Sequence, residues 1–207
     1  MKLYLSSYRM GDRFEELVAA TPKGARVSVV SNAVDYIPIE QRRAYIKRIF
    51  DPIATFARHG FDASDLDLRA YFGRARALEH ALKETRIIFA VGGNSFLLRR
   101  AMRQSGLDEL LPRRLAAGDP IYGGWSAGAC VAGSDMRAIE LMDDPNLIAD
   151  LYDPAVIWEG LGLLDYCVIP HYRSGPPESD AAETAVAMRL ELGLPLRTLR
   201  DGEVVIV

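Results

Sequence analysis

The chain has 207 residues, a length that suits one domain over residues 1–207 and leaves little room for a second. Hydrophobic residues make up 49% of the sequence and charged residues 26%, a composition that excludes a disordered chain and permits a substantial core. The formal net charge is −3 and the sequence has no basic block, so nothing in it predicts a nucleic-acid partner.

The apolar runs of the sequence are short, and none approaches the roughly 20 residues that a membrane-crossing helix needs. Residues 1–8 have the pattern of a strand and not that of a signal peptide, so we expect a cytoplasmic protein without membrane contact. The two cysteines, Cys130 and Cys167, are expected to be reduced and buried. Since the three histidines have no HxxxH or HExxH spacing, we expect no metal site and no other cofactor.

Strand patterns alternate with helical patterns along the chain. In order, the sequence predicts a strand at 2–6, a helix at 14–20, a strand at 26–31, a helix at 40–59 and a short strand at 65–68. It then predicts a helix at 74–83, a strand at 86–91, a helix at 95–104, a strand at 120–124 and a helix from residue 127 onward. The last elements are a strand at 166–170, a helix at 179–192 and a strand at 203–207. This alternation, with strands that are largely apolar, predicts a three-layer, doubly wound α/β sandwich with a mainly parallel sheet.

Three short motifs fall where predicted strands end. They are Gly92-Gly93-Asn94, Gly124-Trp125-Ser126 and Pro170-His171. Ligand sites of doubly wound folds lie at the carboxyl ends of the strands. We therefore expect these motifs to meet at one edge of the sheet and to form the functional site.

Residues 124–128 match the pattern G-x-S-x-G. A serine on a sharp strand-to-helix turn presents its hydroxyl above the sheet, and small residues are needed on both sides because the neighbouring strand and helix crowd the turn. Ser126 is therefore the candidate nucleophile, and the N–H of Ala127 is a candidate oxyanion donor. The competing interpretation is a glycine-rich turn that happens to contain a serine.

The glycine pair at 92–93 leaves backbone N–H groups free at the same edge of the predicted sheet. Gly93 is the candidate for the second oxyanion donor. The competing interpretation is a tight turn followed by a helix cap at Asn94 or Ser95.

A serine nucleophile needs a base at neutral pH, and His171 is the candidate because it ends a predicted strand. His59 lies at a predicted helix end and His80 lies within a charged helix, where structural or solvated roles are expected. An acid must then orient the imidazole. Asp201, in the turn before the last predicted strand, is favoured for this role, and Asp135 is the alternative.

Together these motifs resemble those of the dipeptidase E family of serine peptidases, which are relatives of cyanophycinase. The resemblance rests on residues 92–96 (GGNSF), 124–129 (GWSAGA) and 169–172 (IPHY), and it extends from about residue 86 to residue 207. It implies a fold like that of the class I glutamine amidotransferases, with Ser126 as the nucleophile where those enzymes carry a cysteine.

The chain departs from the family pattern at two positions. Dipeptidase E itself uses a glutamate in the turn before its last strands, where this chain has Asp201. The aspartyl-specific members place an arginine after a Glu-Thr pair, where this chain has Glu183-Thr184-Ala185. Arg173 and Arg189 are nearby candidates to bind a substrate carboxylate, and Asn94 is a further candidate for substrate binding.

The resemblance implies a serine peptidase that hydrolyses short peptides from the N-terminal end, as a dipeptidase or aminopeptidase, through an acyl-enzyme. Three alternatives remain open. The first is a strict Asp-X dipeptidase, and the second is an esterase of the α/β-hydrolase type, which would use Asp135 in the chain order Ser-Asp-His. The third is a catalytically silent binding protein on the same fold.

Short peptides are the expected partners. Residues 172–180, which include Pro176 and Pro177, are expected to border the binding pocket. Tyr152, Trp158 and Met142 suit a dimer face and the core equally well, so both a monomer and a homodimer remain open.

Overall fold

A computed structural model describes residues 2–175 and 177–207 of the chain. The strands are β1 (Leu3–Ser6), β2 (Arg26–Val30), β3 (Asp62–Asp65), β4 (Thr85–Ala90), β5 (Ile121–Trp125), β6 (Cys167–Ile169), β7 (Leu196–Thr198) and β8 (Val204–Ile206). The α-helices are α1 (Phe14–Ala19), α2 (Ile39–Ile49), α3 (Pro52–Arg58), α4 (Ala75–Ala81), α5 (Ser95–Ser105), α6 (Leu107–Ala116), α7 (Ala127–Cys130) and α8 (Glu178–Glu191). None of these helices is long and apolar enough to cross a membrane.

Six strands form the central sheet in the order β3-β2-β4-β5-β1-β8. The first five are parallel, and β8 pairs antiparallel with β1 at one edge. Strands β6 and β7 form a separate parallel pair. In the central sheet, Trp125 is in register with Ser6 and Gly124 with Ala90. The loops that follow β1, β4 and β5 therefore lie side by side at the carboxyl end of these parallel strands.

Helices cover both faces of the sheet because its strands are apolar on both sides. Along β4, Ile87 and Phe89 belong to the smaller of two hydrophobic cores, and Ile88 and Ala90 belong to the larger one. In the smaller core, Phe56 of α3 packs edge-on against three phenylalanine rings at centroid distances from 5.2 to 5.8 Å. The larger core includes residues of α4, α5, α6, α7 and α8. This arrangement confirms the predicted three-layer, mainly parallel α/β sandwich.

The prediction of one continuous helix at 40–59 is wrong. The chain forms α2 and α3 instead, with Phe50 in an extended conformation between them. Pro52 lacks the N–H that a continuing helix would need, and it is favoured in the first turn of a new one. Asp51 caps that new helix, since its Oδ1 accepts a hydrogen bond of 2.9 Å from the N–H of Ala54.

The predicted strand at 65–68 is wrong in position, because β3 spans Asp62–Asp65. Leu68 instead begins a 3-10 turn, Leu68–Tyr71, which the side chain of Asp67 caps by accepting from the N–H of Arg69. Two elements, α6 and β7, were not predicted. Helix α6 follows Gly106, whose φ of 78° ends α5 and redirects the chain.

Tyr152, Trp158 and Met142, which suited either the core or a dimer face, differ in their exposure. Tyr152 is buried, and Met142 is partly buried against the larger core. Trp158 is 39% exposed, and its ring lies edge-on to Phe96 at a centroid distance of 5.4 Å. Tyr152 therefore belongs to the core.

The start of α7 lies against β4 with no room for side chains. A Cβ added to Gly128 would lie 2.5 Å from the carbonyl oxygen of Ala90, and one added to Gly124 would lie 2.9 Å from the same oxygen. Such separations are far inside van der Waals contact. Glycine is required at both positions because the backbone of the turn touches the backbone of the neighbouring strand.

We expect Gly128→Ala to lower the free energy of unfolding by about 1–3 kcal/mol, because the methyl group must push α7 away from β4. Gly175→Ala is the matched control, since among the described residues no heavy atom beyond its chain neighbours lies within 4 Å of its added Cβ, and its φ is not positive. The control should stay within about 0.5 kcal/mol of the parent chain. Urea unfolding with equal m-values measures both, and an unchanged midpoint for Gly128→Ala would contradict the packing described here.

Candidate active site

Ser126 lies on the turn between β5 and α7 in a conformation that few residues adopt. Its φ is 50° and its ψ is −112°, outside the regions that L-residues ordinarily occupy. Its N–H donates to the carbonyl oxygens of Ser6 and Ser7, at 3.2 and 3.1 Å. Together with the packing of Gly124 and Gly128, these bonds fix the serine at the carboxyl end of the sheet.

His171 follows β6 and reaches Ser126 from the other side of the site. Its Nε2 lies 3.1 Å from the Oγ of Ser126, and its Nδ1 lies 2.8 Å from Oδ1 of Asp201. The residue is buried, and its backbone has a φ of 61°. When Nδ1–H donates to the carboxylate of Asp201, Nε2 is left as an acceptor for the serine hydroxyl.

Asp201 lies in the turn before β8, and two serines hold it there. Its Oδ1 accepts a hydrogen bond of 2.8 Å from the hydroxyl of Ser7, and its N–H donates to the Oγ of Ser174 at 2.9 Å. The hydroxyl of Ser7 also accepts from the N–H of His171 at 2.8 Å. Ser7 therefore connects the acid to the histidine. In the sequence, Ser7 has no signal other than its position directly after the first predicted strand.

Two backbone N–H groups in this region are available to a ligand. Ala127 begins α7 and Gly93 follows β4, and within residues 2–175 and 177–207 neither N–H donates a hydrogen bond. Gly93 has a φ of 141°, and a Cβ there would lie 2.5 Å from the carbonyl oxygen of Ala33. The loop therefore requires glycine at this position.

Asp135, the alternative acid, is bound to a different residue. Both of its carboxylate oxygens accept from Arg189, at 2.9 and 3.1 Å, and Arg189 is fully buried. Burial alone would raise the pKa of Asp135, but the hydrogen bonds from Arg189 and from the N–H of Arg137 outweigh burial and lower it. The structure therefore brings Asp201, and not Asp135, to His171.

Like Arg189, the other two candidates for substrate binding, Asn94 and Arg173, have contacts within the protein. Asn94 lines the site, but its Oδ1 caps α5 by accepting from the N–H of Leu97 at 2.8 Å. Its Nδ2 donates to the carbonyl of Asp144 at 2.9 Å. Arg173 is exposed, and its guanidinium carbon lies 5.1 Å from the ring centroid of Tyr172. The contacts of these two side chains therefore give no specific support to a role in substrate binding.

A cavity of about 430 Å³ opens beside Ser126 and His171. This volume is within the range of sites that bind small molecules. Aromatic rings form much of its wall, and they come from Tyr8, Tyr36, Tyr45, Phe50 and Trp125. Of the predicted rim at 172–180, Glu178 lines the cavity, while Pro176 lies outside the described residues. Over the described ranges, no three His, Cys, Asp or Glu side chains are grouped so as to hold a metal ion.

Comparison with curated proteins finds relatives that are named as peptidases. An uncharacterized peptidase of Listeria innocua is 33% identical over 103 residues, which are 48% of this chain and 47% of that protein. Peptidase E of Pasteurella multocida is 34% identical over 111 residues, which are 53% of this chain and 44% of that protein. The chain thus spans about half the length of these relatives. An uncharacterized peptidase of P. multocida is 24% identical over 87% of this chain and 83% of its own length.

Two solved structures share the fold. A peptidase E candidate from Listeria monocytogenes EGD-e has a TM-score of 0.73 and 21% identity, and it covers 99% of this chain and 93% of its own. A peptidase from an acI-B1 actinobacterium has a TM-score of 0.66 and 18% identity, and it covers 96% of this chain and 80% of its own. These likenesses confirm the predicted class I glutamine amidotransferase-like architecture.

The family assignment comes from a match over nearly all of the chain. The model of Peptidase family S51 matches residues 11–207, a range that includes Ser126, His171 and Asp201. The match confirms the resemblance to the dipeptidase E family. This chain belongs to peptidase family S51.

Proposed function

We propose that the protein is a serine peptidase that hydrolyses short peptides from the N-terminal end. Ser126 is the nucleophile, His171 the general base and Asp201 the acid that orients it. The observation that carries the proposal is the continuous hydrogen-bonded chain from Ser126 Oγ to His171, at 3.1 Å, and on to Asp201, at 2.8 Å. Membership in peptidase family S51 supports peptides as the substrate class.

The reaction begins when Nε2 of His171 takes the proton of the Ser126 hydroxyl. The serine oxygen then bonds to the scissile carbonyl carbon, and the carbonyl oxygen becomes an oxyanion. The free N–H groups of Gly93 and Ala127 donate to this oxyanion, which lowers the energy of the transition state. Asp201 stabilises the imidazolium, and Ser7 keeps the carboxylate in line with Nδ1.

The second half of the reaction returns the proton. His171 donates it from Nε2 to the leaving amine as the carbon–nitrogen bond breaks, and an acyl-enzyme on Ser126 remains. A water molecule then gives a proton to His171 and attacks the acyl carbon. Release of the carboxylic acid restores the serine hydroxyl.

The size and setting of the cavity support short substrates. A volume of about 430 Å³ accommodates a peptide of a few residues and not a folded chain. A strict Asp-X specificity has less support, because Arg189 is bound to Asp135 and Arg173 lies over Tyr172. The esterase alternative needs Asp135 as the acid, and the same ion pair with Arg189 argues against it. We take the cytoplasm to be the setting, in line with two unpaired, buried cysteines.

We expect Ser126→Ala to reduce kcat by on the order of 1000-fold or more, since the nucleophile is removed and only oxyanion stabilisation and binding remain. Initial rates on a panel of dipeptides and aminoacyl-nitroanilides measure this effect. Undiminished turnover by a variant with the circular dichroism spectrum of the parent would rule out Ser126 as the nucleophile.

Two substitutions, one at Asp201 and one at Asp135, distinguish which aspartate orients His171. Asp201→Asn should lower kcat by on the order of 100-fold or more, because an asparagine favours the wrong tautomer of His171. Asp135→Asn should leave kcat per folded molecule unchanged and lower the free energy of unfolding by about 3–5 kcal/mol, because the buried Arg189 loses its charged partner. The reverse pattern, with activity lost only in Asp135→Asn, would favour the esterase alternative.

A further inference from the structure

The cavity beside Ser126 contains a carboxylate that the proposed mechanism does not use. Asp143 lines this cavity, and its Oδ2 accepts hydrogen bonds from the N–H of Ser95 at 2.9 Å and from its hydroxyl at 2.6 Å. Over residues 2–175 and 177–207, Oδ1 of Asp143 accepts no hydrogen bond, and no lysine or arginine pairs with the group. One oxygen of this carboxylate is therefore left to a ligand.

Asp143 lies in surroundings that penalise its charge. Burial raises the pKa of the carboxyl group, and the hydrogen bonds from Ser95 and the charge of His171 only partly oppose this effect. A carboxylate held in a desolvated position without a cation is stabilised when a cation binds to it. The group that suits Asp143 is therefore positively charged and donates hydrogen bonds.

The charge of the cavity favours the same kind of ligand. Three acidic residues, Asp143, Asp144 and Glu178, line it, and among the described lining residues there is no lysine or arginine. Arg9 is exposed nearby, with its guanidinium carbon 4.7 Å from the ring centroid of Tyr8 and 5.7 Å from that of Phe50. Both of those rings line the cavity, so Arg9 is the cation whose role must be tested separately.

The covalent geometry of a peptide restricts where its N-terminus can lie. In the first residue, the α-nitrogen is about 2.5 Å from the carbonyl carbon, since two bonds and one tetrahedral angle separate them. When Ser126 attacks that carbonyl, the group that binds the α-ammonium must therefore line the same cavity. Asp143 meets this condition.

We propose that Asp143 binds the α-ammonium group of the substrate, so that the site accepts peptides with a free N-terminus and a neutral or basic first residue. The inference rests on the proposed peptidase function and assigns the residue that selects the N-terminal end. An aspartate in the first position would bring a further carboxylate into a cavity that three acidic residues already line. Like charges at such short range disfavour binding.

The proposal is tested by binding to the Ser126→Ala variant, which allows intact peptides to be measured. Calorimetric titration with Ala-Ala and with acetyl-Ala-Ala compares a free and a blocked N-terminus. We expect Ala-Ala to bind more tightly, and we expect Asp143→Asn in the same background to weaken Ala-Ala binding about 10- to 100-fold, as for loss of a charged hydrogen bond. Binding of acetyl-Ala-Ala should not change with this substitution.

Asp150→Asn is the matched control, because it removes an exposed carboxylate from the same part of the chain without altering the cavity. It should leave both affinities unchanged. Asparagine at position 143 can still accept from Ser95 and removes a charge that partial burial penalises, so the melting temperature of Asp143→Asn should not fall. Equal affinities for the free and blocked peptides, or equal losses for both in Asp143→Asn, would overturn the assignment.

A separate comparison tests the proposed preference against an acidic residue in the first position of the substrate. Asp-Ala should bind more weakly than Ala-Ala to the Ser126→Ala variant. Tighter binding of Asp-Ala that disappears with Arg9→Ala would overturn this part of the proposal, because Arg9 would then bind the acidic side chain. A parent chain that hydrolyses no peptide would refute the proposed function alone, since none of these affinities requires turnover.

Discussion

The close contact between the carbonyl oxygen of Ala90 and the glycines of the β5–α7 turn is the constraint on which the site depends. Because no side chain fits at Gly124 or Gly128, α7 starts directly against β4 and the chain must reverse within one residue. That residue is Ser126, whose φ of 50° follows from the reversal. A wider turn would relax this backbone and would also move the hydroxyl away from Nε2 of His171.

The remaining groups converge on Ser126 from distant parts of the chain. Ser7 comes from the end of β1, Gly93 from the loop after β4, His171 from the end of β6 and Asp201 from the turn before β8. Ser7 has a particular place among them, since one hydroxyl bonds to both the backbone of the histidine and the carboxylate of the acid. Bonds of this kind fix the orientation of the imidazole before a ligand arrives, and this preorganisation lowers the cost of reaching the transition state.

The parts of this arrangement that could be predicted are those with local signals. Glycines around Ser126 and a histidine at a strand end are visible in sequence because short-range backbone geometry demands them. The helix break at Pro52 was also locally encoded but was missed, because the apolar periodicity continues through it. Ser7 had no local signal beyond its position after a predicted strand, and Asp143 had none. Each matters through partners that are far away in sequence, Asp201 for the first and Ser95 for the second, and only the folded sheet brings those partners together.

The convergence of the serine and the histidine is tested most directly by an active-serine phosphonate probe with peptide mapping of the adduct. The hydrogen-bonded chain predicts a single adduct, on Ser126, that forms at least about 100-fold more slowly when His171 is replaced by alanine. No adduct on Ser126, or labelling at the same rate without the imidazole, would show that the two residues do not act together.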